Sequence, residues 1–450
     1  MLVCQHTDVN MEFKGSDEAL LQKPPAMTFK FAPTKLSRPN FLPPIVCSRR
    51  LYIQITLAIM LIAIVVIVRA LSNMRVVFVQ FHNESDSDGE LVILPEEFSA
   101  PRGAHCLDGS PPAFYLRHGE ISAENNWLLH LQSGGWCVSP SECYHRSFTE
   151  LGSSQSARTS ALFEGILSSD ERVNPDFFTW NTAQFLYCDG SSFTGNKSGV
   201  LNVQSRSLYL RGGAVFETLI EYLMSHTSLA TANHVILAGS SAGGLAALLQ
   251  ADRLREKLPS SVKTLHVLVD GSLFLDQPDG NQQHVMAEML HNTYNLHNLK
   301  ESLVLKECTL GLPEAVQWRC FLPEVFYKHV FTPMFFANSL YDTWYTSTTL
   351  RIPCTRSGHC PPKEMQVLDR VKQAILKQSQ DLLASGKNGV FLTSCPAHSM
   401  LVNPRYNSMK AGQLTSQDAI SMWLKHNKSG YNVSESIDLN DSAHYCKLFY

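Results

Sequence analysis

The stretch His234-Val-Ile-Leu-Ala-Gly-Ser-Ser-Ala-Gly-Gly-Leu-Ala-Ala-Leu-Leu249 decides the fold. It begins with an apolar, branched run that favours a buried strand and ends in a Leu/Ala segment that favours a helix. Between them, Gly239-Ser-Ser-Ala-Gly243 matches Gly-x-Ser-x-Gly, a pattern that places a nucleophilic serine on a sharp strand-to-helix turn. The glycines permit a turn that a Cβ would obstruct. The pattern therefore predicts that Ser241 is a nucleophile, the alternative being an ordinary glycine-rich turn.

The surrounding chain alternates short apolar runs with longer helical patterns. This alternation is typical of an α/β fold, with a mostly parallel central sheet flanked by helices. The predicted strands are 127–132, 183–187, 234–238, 264–270, 333–338 and 389–393, and the clearest helices are 213–225 and 364–384. Ligands of such sheets collect at the carboxyl ends of the strands. The sequence therefore predicts an α/β-hydrolase-like fold with its site at that edge.

A serine nucleophile needs a histidine base and an acid that orients the imidazole. In α/β-hydrolases these residues follow one another along the chain as Ser, Asp or Glu, then His. The acids near predicted strand ends downstream of Ser241 are Asp270, Asp276 and Asp342. His398 follows the last predicted strand, which favours it over the other histidines as the base. Pattern alone leaves Asp270 and Asp342 as equal candidates for the acid.

The segment Ser133-Gly-Gly-Trp136 follows the predicted strand 127–132. It is similar to the glycine-rich loop that lipases and esterases place opposite the nucleophile. Backbone N–H groups of such a loop, together with that of Ala242, would stabilise an oxyanion. The alternative is a glycine turn with a tryptophan in the core.

Several ordered blocks give the chain a resemblance to the pectin acetylesterase family, whose animal branch includes the Wnt deacylase Notum. They lie between residues 106 and 446, and most of that range is covered. The blocks are Cys106-Leu-Asp-Gly-Ser-Pro-Pro-Ala113, Asn126-Trp-Leu-Leu-His-Leu131, Gly134-Gly-Trp-Cys137, Asn174-Pro-Asp-Phe-Phe-Thr-Trp-Asn181, Tyr187-Cys-Asp-Gly-Ser-Ser-Phe-Thr-Gly195, Gly239-Ser-Ser-Ala-Gly-Gly244, Thr332-Pro-Met-Phe-Phe-Ala-Asn338, Tyr341-Asp342 and Ser394-Cys-Pro-Ala-His398. The block beginning at Tyr187 is closer to the plant-type esterases than to Notum.

The resemblance implies a nucleophile at Ser241, an acid at Asp342 and a base at His398, and so decides between the two acids. It also implies oxyanion donors whose backbone N–H groups belong to Gly135, Trp136 and Ala242. No cofactor is implied. No tight cluster of cysteines and histidines suggests a metal site either.

As substrate, the resemblance favours the O-acetyl groups of pectin, a cell-wall polysaccharide. The alternatives are a Notum-like deacylase that removes a fatty acyl group such as palmitoleoyl from a protein, and a hydrolase fold that serves only in adhesion or binding. The chain departs from the plant-type pattern at Gln132-Ser133, Ser240 and Ser399, where the family has Glu-Gly, Cys and Cys. We expect a missing disulfide and a slightly different mouth to the site.

One apolar run, residues 51–68, is long enough to cross a bilayer, since 18 helical residues rise about 27 Å. Arg49 and Arg50 precede it, which favours a cytosolic N-terminus, and it starts too late for a cleaved signal peptide. We therefore expect a cytosolic tail (1–50), a transmembrane signal anchor (51–68), a stem (69–105) and a catalytic domain (106–450). A buried core helix is the alternative for the span.

Sequons and cysteines support a luminal or extracellular domain. All five Asn-x-Ser/Thr sequons follow the span, at Asn83, Asn196, Asn427, Asn432 and Asn440. Ten of twelve cysteines also follow it, which allows up to five disulfides in an oxidising compartment. The close pairs 137/143, 308/320 and 354/360 are candidates for local bridges. The net charge of −3 argues against nucleic acid as the main partner.

Overall fold

A computed structural model describes residues 88–356, 359–426 and 431–434. The predicted tail (1–50) and membrane span (51–68), as well as Asn83, Asn427 and Asn440, lie outside these residues. Among the helices of the described ranges, none is both long enough and apolar enough to cross a membrane.

The main element is a ten-stranded sheet, accompanied by two short antiparallel ribbons. In chain order the strands are β1 (Asp88–Ile93), β2 (Ala113–Arg117), β3 (Asn126–Leu131), β4 (Ser160–Leu162), β5 (Asn181–Phe185), β6 (Leu201–Val203), β7 (Arg206–Leu208), β8 (His234–Ser240), β9 (Thr264–Asp270), β10 (Met334–Ser339), β11 (Gly389–Thr393), β12 (Lys410–Ala411), β13 (Leu414–Thr415) and β14 (Tyr431–Ser434). The strand order of the large sheet is β14-β11-β10-β9-β8-β3-β5-β2-β1-β4, and the ribbons are β6–β7 and β12–β13.

Most of this sheet is parallel. Strands β5, β3, β8, β9, β10, β11 and β14 run in one direction, and β2, β1 and β4 extend it by antiparallel pairing. Six predicted strands correspond to β3, β5, β8, β9, β10 and β11. The large sheet with its flanking helices confirms the predicted α/β architecture. The antiparallel edge was not predicted.

Ten α-helices occur in the described ranges, four of them single turns. They are α1 (Glu96–Ser99), α2 (Pro140–Arg146), α3 (Gly212–His226), α4 (Ala242–Lys257), α5 (Val285–Leu296), α6 (Lys306–Thr309), α7 (Glu314–Gln317), α8 (Pro323–Phe326), α9 (Pro362–Leu383) and α10 (Ser416–His426). The predicted helices 213–225 and 364–384 agree with α3 and α9. Residues Tyr345–Thr349 form a π-helical turn directly after β10 and its loop.

The sheet is buried on both faces because successive side chains of a strand point to opposite sides. In β8, Val235 and Leu237 pack with α3, α4, α5 and α9 on one face. Ile236 and Ala238 pack on the other face, against α10 and the loops around residue 400. Continuous burial explains why β8 reads as an unbroken apolar run, as strands covered on both faces do.

The predicted stem and the structure differ at its carboxyl end. β1 lies within residues 69–105, yet it pairs with β2 and β4 in the main sheet, and Leu94 belongs to the core. The strand is hard to recognise from sequence because it begins with the polar residues Asp88 and Glu90 and so lacks a continuous apolar run.

Three disulfides close short local loops, and a fourth closes a long one. The three local pairs predicted from spacing, 137/143, 308/320 and 354/360, are confirmed. Cys106 is bonded to Cys188, which links the loop before β2 to the loop after β5 across 82 residues. Cys395, three residues before His398, is also disulfide-bonded.

Candidate active site

Ser241 lies in a strained turn between β8 and α4. Its φ of 56° and ψ of −125° fall outside the regions that serine usually occupies. Such strain persists only where the surrounding structure holds it, and it is concentrated at functional sites. Here the backbone N–H of Ser241 donates to the carbonyl of Asp270, and the hydroxyl of Ser272 donates to the carbonyl of Ser241. The turn is thus fixed from the end of β9.

The glycines on either side of Ser241 are required by close backbone approach. A Cβ on Gly239 would lie 2.1 Å from the carbonyl oxygen of Gly243, and one on Gly243 would lie 2.1 Å from that of Leu131. Real Cβ atoms do not come so close to backbone, so a larger residue would push α4 away from β3 and β8. The physical role expected of these glycines is therefore visible in the structure.

The structure brings Ser241, His398 and Asp342 together. His398 Nε2 lies 2.8 Å from Ser241 Oγ, and His398 Nδ1 lies 2.9 Å from each carboxylate oxygen of Asp342. Asp342 Oδ1 also accepts the backbone N–H groups of Trp344 and Tyr345, which fix the carboxylate. The three residues follow β8, β10 and β11, whose carboxyl ends meet at one edge of the sheet.

The environment of His398 favours its protonated form. Burial by itself would lower the pKa of the imidazole, but the charge of Asp342 and its hydrogen bond outweigh burial, with a further contribution from Asp270. The net effect raises the pKa above its ordinary value of 6.5. Asp342 therefore stabilises the positive charge that His398 acquires when it takes a proton from the serine.

Asp270, the other candidate acid, faces a different set of groups. Its carboxylate accepts the hydroxyl of Ser240 at 2.7 Å and the backbone N–H groups of Met400 and Leu401 at 2.9–3.1 Å. The side chain is fully buried, and burial raises its pKa to about 6 despite these hydrogen bonds. Asp270 therefore ties the turn that carries Ser241 to the loop that carries His398. Asp276, the third acid, contacts His284 instead.

The Gly-Gly-Trp loop leaves β3, the strand next to β8. Leu131 pairs with Gly239, so the loop and the serine turn begin side by side. Gly134 and Gly135 both have positive φ, at 156° and 63°, which favours glycine. Within the described residues, no hydrogen bond engages the backbone N–H groups of Gly135, Trp136 and Ala242. These three groups are thus free to act as donors at this edge.

Three side chains hold this loop, and none was singled out from sequence. The hydroxyl of Ser192 accepts the indole N–H of Trp136 at 2.8 Å and donates to the carbonyl of Ala242 at 2.7 Å. Tyr187 donates to the carbonyl of Gly135, and Arg146 to that of Gly134, each at 2.7 Å. Ser192 itself has a φ of 55°. Two of these residues belong to the block Tyr187–Gly195, which was noted only as a resemblance.

Two clusters of cysteine with histidine or glutamate come close enough to suggest a metal ion, within the ranges described. They are Cys137, Cys143 and His297, and Cys354, Cys360 and Glu364. Both cysteine pairs are disulfides, so their sulfurs are not thiolate ligands. Neither cluster fits a metal.

Comparison with known proteins gives one consistent family. The family model described as Pectinacetylesterase matches residues 82–444. Pectin acetylesterase 5 of Arabidopsis thaliana is 34% identical over 313 residues, covering 67% of this chain and 71% of that protein. Palmitoleoyl-protein carboxylesterase NOTUM of Schmidtea mediterranea is 27% identical over 341 residues, covering 73% of this chain and 62% of that protein.

A solved structure supports the fold. The structure of the Wnt deacylase Notum from Drosophila aligns with a TM-score of 0.66 at 23% identity. The alignment covers 78% of this chain and 97% of the Notum chain. The likeness extends over nearly all of the solved chain, so the two proteins share the same arrangement of sheet and helices.

Proposed function

The chain belongs to the pectinacetylesterase family and is a carboxylesterase, and from that premise we propose that it removes O-acetyl groups from pectin through an acyl-Ser241 intermediate. The observation that carries the proposal is the continuous hydrogen-bonded series of Ser241, His398 and Asp342. We assign Ser241 as the nucleophile, His398 as the base and Asp342 as the orienting acid.

Acylation begins when Ser241 Oγ attacks the ester carbonyl and His398 Nε2 takes the hydroxyl proton. The carbonyl oxygen becomes negative, and we propose that the N–H groups of Gly135, Trp136 and Ala242 donate to it. Loss of one such donor typically costs about 2.7–4 kcal/mol of transition-state stabilisation. The tetrahedral intermediate then breaks its bond to the sugar oxygen, which leaves with the proton held by His398.

Deacylation repeats these steps with water. His398 Nε2 removes a proton from a water molecule, whose oxygen attacks the acyl-serine carbonyl. Collapse of the second intermediate breaks the bond to Ser241 Oγ, which regains its proton from His398, and acetate is released. Throughout, Asp342 keeps a proton on Nδ1 so that Nε2 can accept one.

The test is to measure acetate release from acetylated pectin by residues 75–450 made in a secretory host. The Ser241→Ala variant supplies the blank, and the p-nitrophenyl acetate and octanoate esters supply a chain-length comparison. We expect acetate release and faster turnover of the acetate ester. Preference for octanoate without acetate release from pectin would favour the fatty-acyl deacylase, and no turnover of any ester above the blank would leave only a binding role.

The pH dependence of activity should report the ionisation of His398. Only the neutral imidazole accepts a proton, so kcat/KM falls as pH drops below the pKa of His398, by about tenfold for each pH unit. Because Asp342 raises this pKa, we expect the acid limb of kcat/KM to have its midpoint above pH 6.5. The measurement is hydrolysis of p-nitrophenyl acetate from pH 5 to 9. A midpoint below 6.5 would contradict the role given to the Asp342 charge.

We further propose that residues 51–68 anchor the protein in a membrane, with the tail (1–50) in the cytosol and the catalytic domain in the lumen, outside the cell or in the cell wall. Four disulfides within the described residues support an oxidising compartment. Asn196 is exposed, as glycosylation requires, and Asn432 lies in β14. We propose glycans at Asn83, Asn196, Asn427, Asn432 and Asn440. Loss of mass on glycosidase treatment, absent when these asparagines are replaced, checks the orientation.

A further inference from the structure

Three aromatic rings stand together beside the Ser241–His398 pair. Trp136 and Phe274 have ring centroids 5.4 Å apart, Phe274 and Trp344 5.5 Å, and Trp136 and Trp344 6.0 Å. All three contacts are edge-on, the arrangement in which aromatic rings attract one another. Trp344 also stacks on the imidazole of His398, at 5.5 Å and an angle of 28°. We call these three residues the aromatic triangle.

Each ring comes from a different loop at the carboxyl edge of the sheet, and each loop is fixed. The indole N–H of Trp136 donates to Ser192. The loop that carries Phe274 is bonded to the π-helical turn, because Tyr345 donates to the carbonyl of Leu275 at 2.7 Å. The backbone N–H of Trp344 donates to Asp342. Each of the three loops is therefore held by at least one hydrogen bond at this edge of the sheet.

The triangle and the nucleophile are also largely shielded from solvent. Phe274 is 1% exposed, Trp136 8% and Ser241 itself 4%, while Trp344 is partly buried at the margin. Close-packed rings cannot admit a chain of methylenes without displacing one of them. An apolar surface of this kind suits the hydrocarbon part of an acyl group, which has no polar atom that needs a hydrogen bond there.

We propose that the aromatic triangle restricts the acyl group to about the size of acetyl, and that Trp344 is the residue that sets this limit. The inference rests on the proposed esterase function and refines its substrate class. Trp344 is the ring nearest the margin, and its loop is held through its backbone. Phe274 is fully enclosed, and Trp136 carries a proposed oxyanion donor.

The test compares kcat/KM for p-nitrophenyl acetate, butyrate and octanoate in the wild type and in Trp344→Ala. We expect the wild type to prefer acetate and the variant to raise the octanoate-to-acetate ratio at least tenfold, with a smaller rise in Trp344→Phe. Trp318→Ala is the matched control, because Trp318 is also partly buried but packs on His291, and its ratio should stay unchanged.

Two other results would overturn the inference. If Trp344→Ala lowers turnover of all three esters equally, the ring only positions His398. If the ratio stays at the wild-type value in a variant whose thermal unfolding is cooperative, the triangle does not limit the acyl group. Trp344→Leu repeats the comparison if the alanine variant does not fold. Failure of the wild type to hydrolyse any ester above the Ser241→Ala blank would instead refute the esterase function itself.

Discussion

Replacing Ser241 with alanine is expected to lower kcat/KM for p-nitrophenyl acetate by about 10⁴- to 10⁶-fold, the range seen when a serine hydrolase loses its nucleophile. Without Oγ no acyl-enzyme can form, and His398 can only assist direct attack by water. The measurement is initial rates at pH 8 together with active-site titration by a fluorophosphonate, which should label the wild type and not the variant. Thermal unfolding should change little, because alanine keeps the same backbone and loses one hydrogen bond.

Ser240→Ala is the matched control, since it makes the same change one residue earlier. The hydroxyl of Ser240 is also buried, but it donates to Asp270 and does not contact His398. We expect fluorophosphonate labelling of this variant to persist and its kcat/KM to stay within roughly tenfold of the wild type, because the lost hydrogen bond runs to the Asp270 carboxylate and not to His398. Equal losses in the two variants would remove the distinction between these adjacent serines.

Replacing Asp342 with asparagine should reduce kcat by about 10³- to 10⁴-fold, as when a triad acid is made neutral. The amide oxygen can still accept the backbone N–H groups of Trp344 and Tyr345. The amide NH₂ then faces His398 Nδ1 and donates to it, which leaves the imidazole proton on Nε2. That nitrogen can no longer accept the proton of Ser241. Steady-state kinetics with p-nitrophenyl acetate measure the loss.

Asp270→Asn separates the two acids that the sequence pattern left equal. Within the described residues, the Asp270 carboxylate accepts hydrogen bonds from Ser240, Met400 and Leu401 alone, so the amide of an asparagine there would place N–H groups against N–H donors. We expect lower stability, by about 1–3 kcal/mol in urea unfolding, and a much smaller loss of kcat than in Asp342→Asn. A larger loss of kcat in Asp270→Asn would reverse the assignment of the acid.

The parallel part of the sheet could be predicted because its strands are covered on both faces. Strand β8 shows this best, since its unbroken apolar run ends in the glycine-bounded serine turn. β4 is the opposite case, as Ser160 and Leu162 are exposed and no alternating pattern marks the strand. A strand at the edge of a sheet, such as β4, buries too few side chains to leave a readable pattern.

The candidate site was only partly predictable, because the sequence does not show which way a side chain at the end of a strand points. Asp270 is the last residue of β9 and Asp342 follows the neighbouring strand β10, and position along the chain does not reveal which carboxylate faces the imidazole. The family resemblance chose Asp342, and in the structure that residue alone contacts His398. Ser192 and the aromatic triangle depend on how three separate loops fold back, which no local spacing encodes.

The contact between Asp270 and the His398 loop has a consequence for the order in which this protein matures. Ser241 is synthesised 157 residues before His398, which at about 5–20 residues per second is roughly 8–30 s of translation. During that interval the chain contains β8, β9 and Ser241, but neither the base nor the backbone N–H groups of Met400 and Leu401 that donate to Asp270. Ser241 therefore lacks its base until the segment that contains His398 and Met400 has been synthesised, and that one segment supplies both the base and two backbone donors to Asp270.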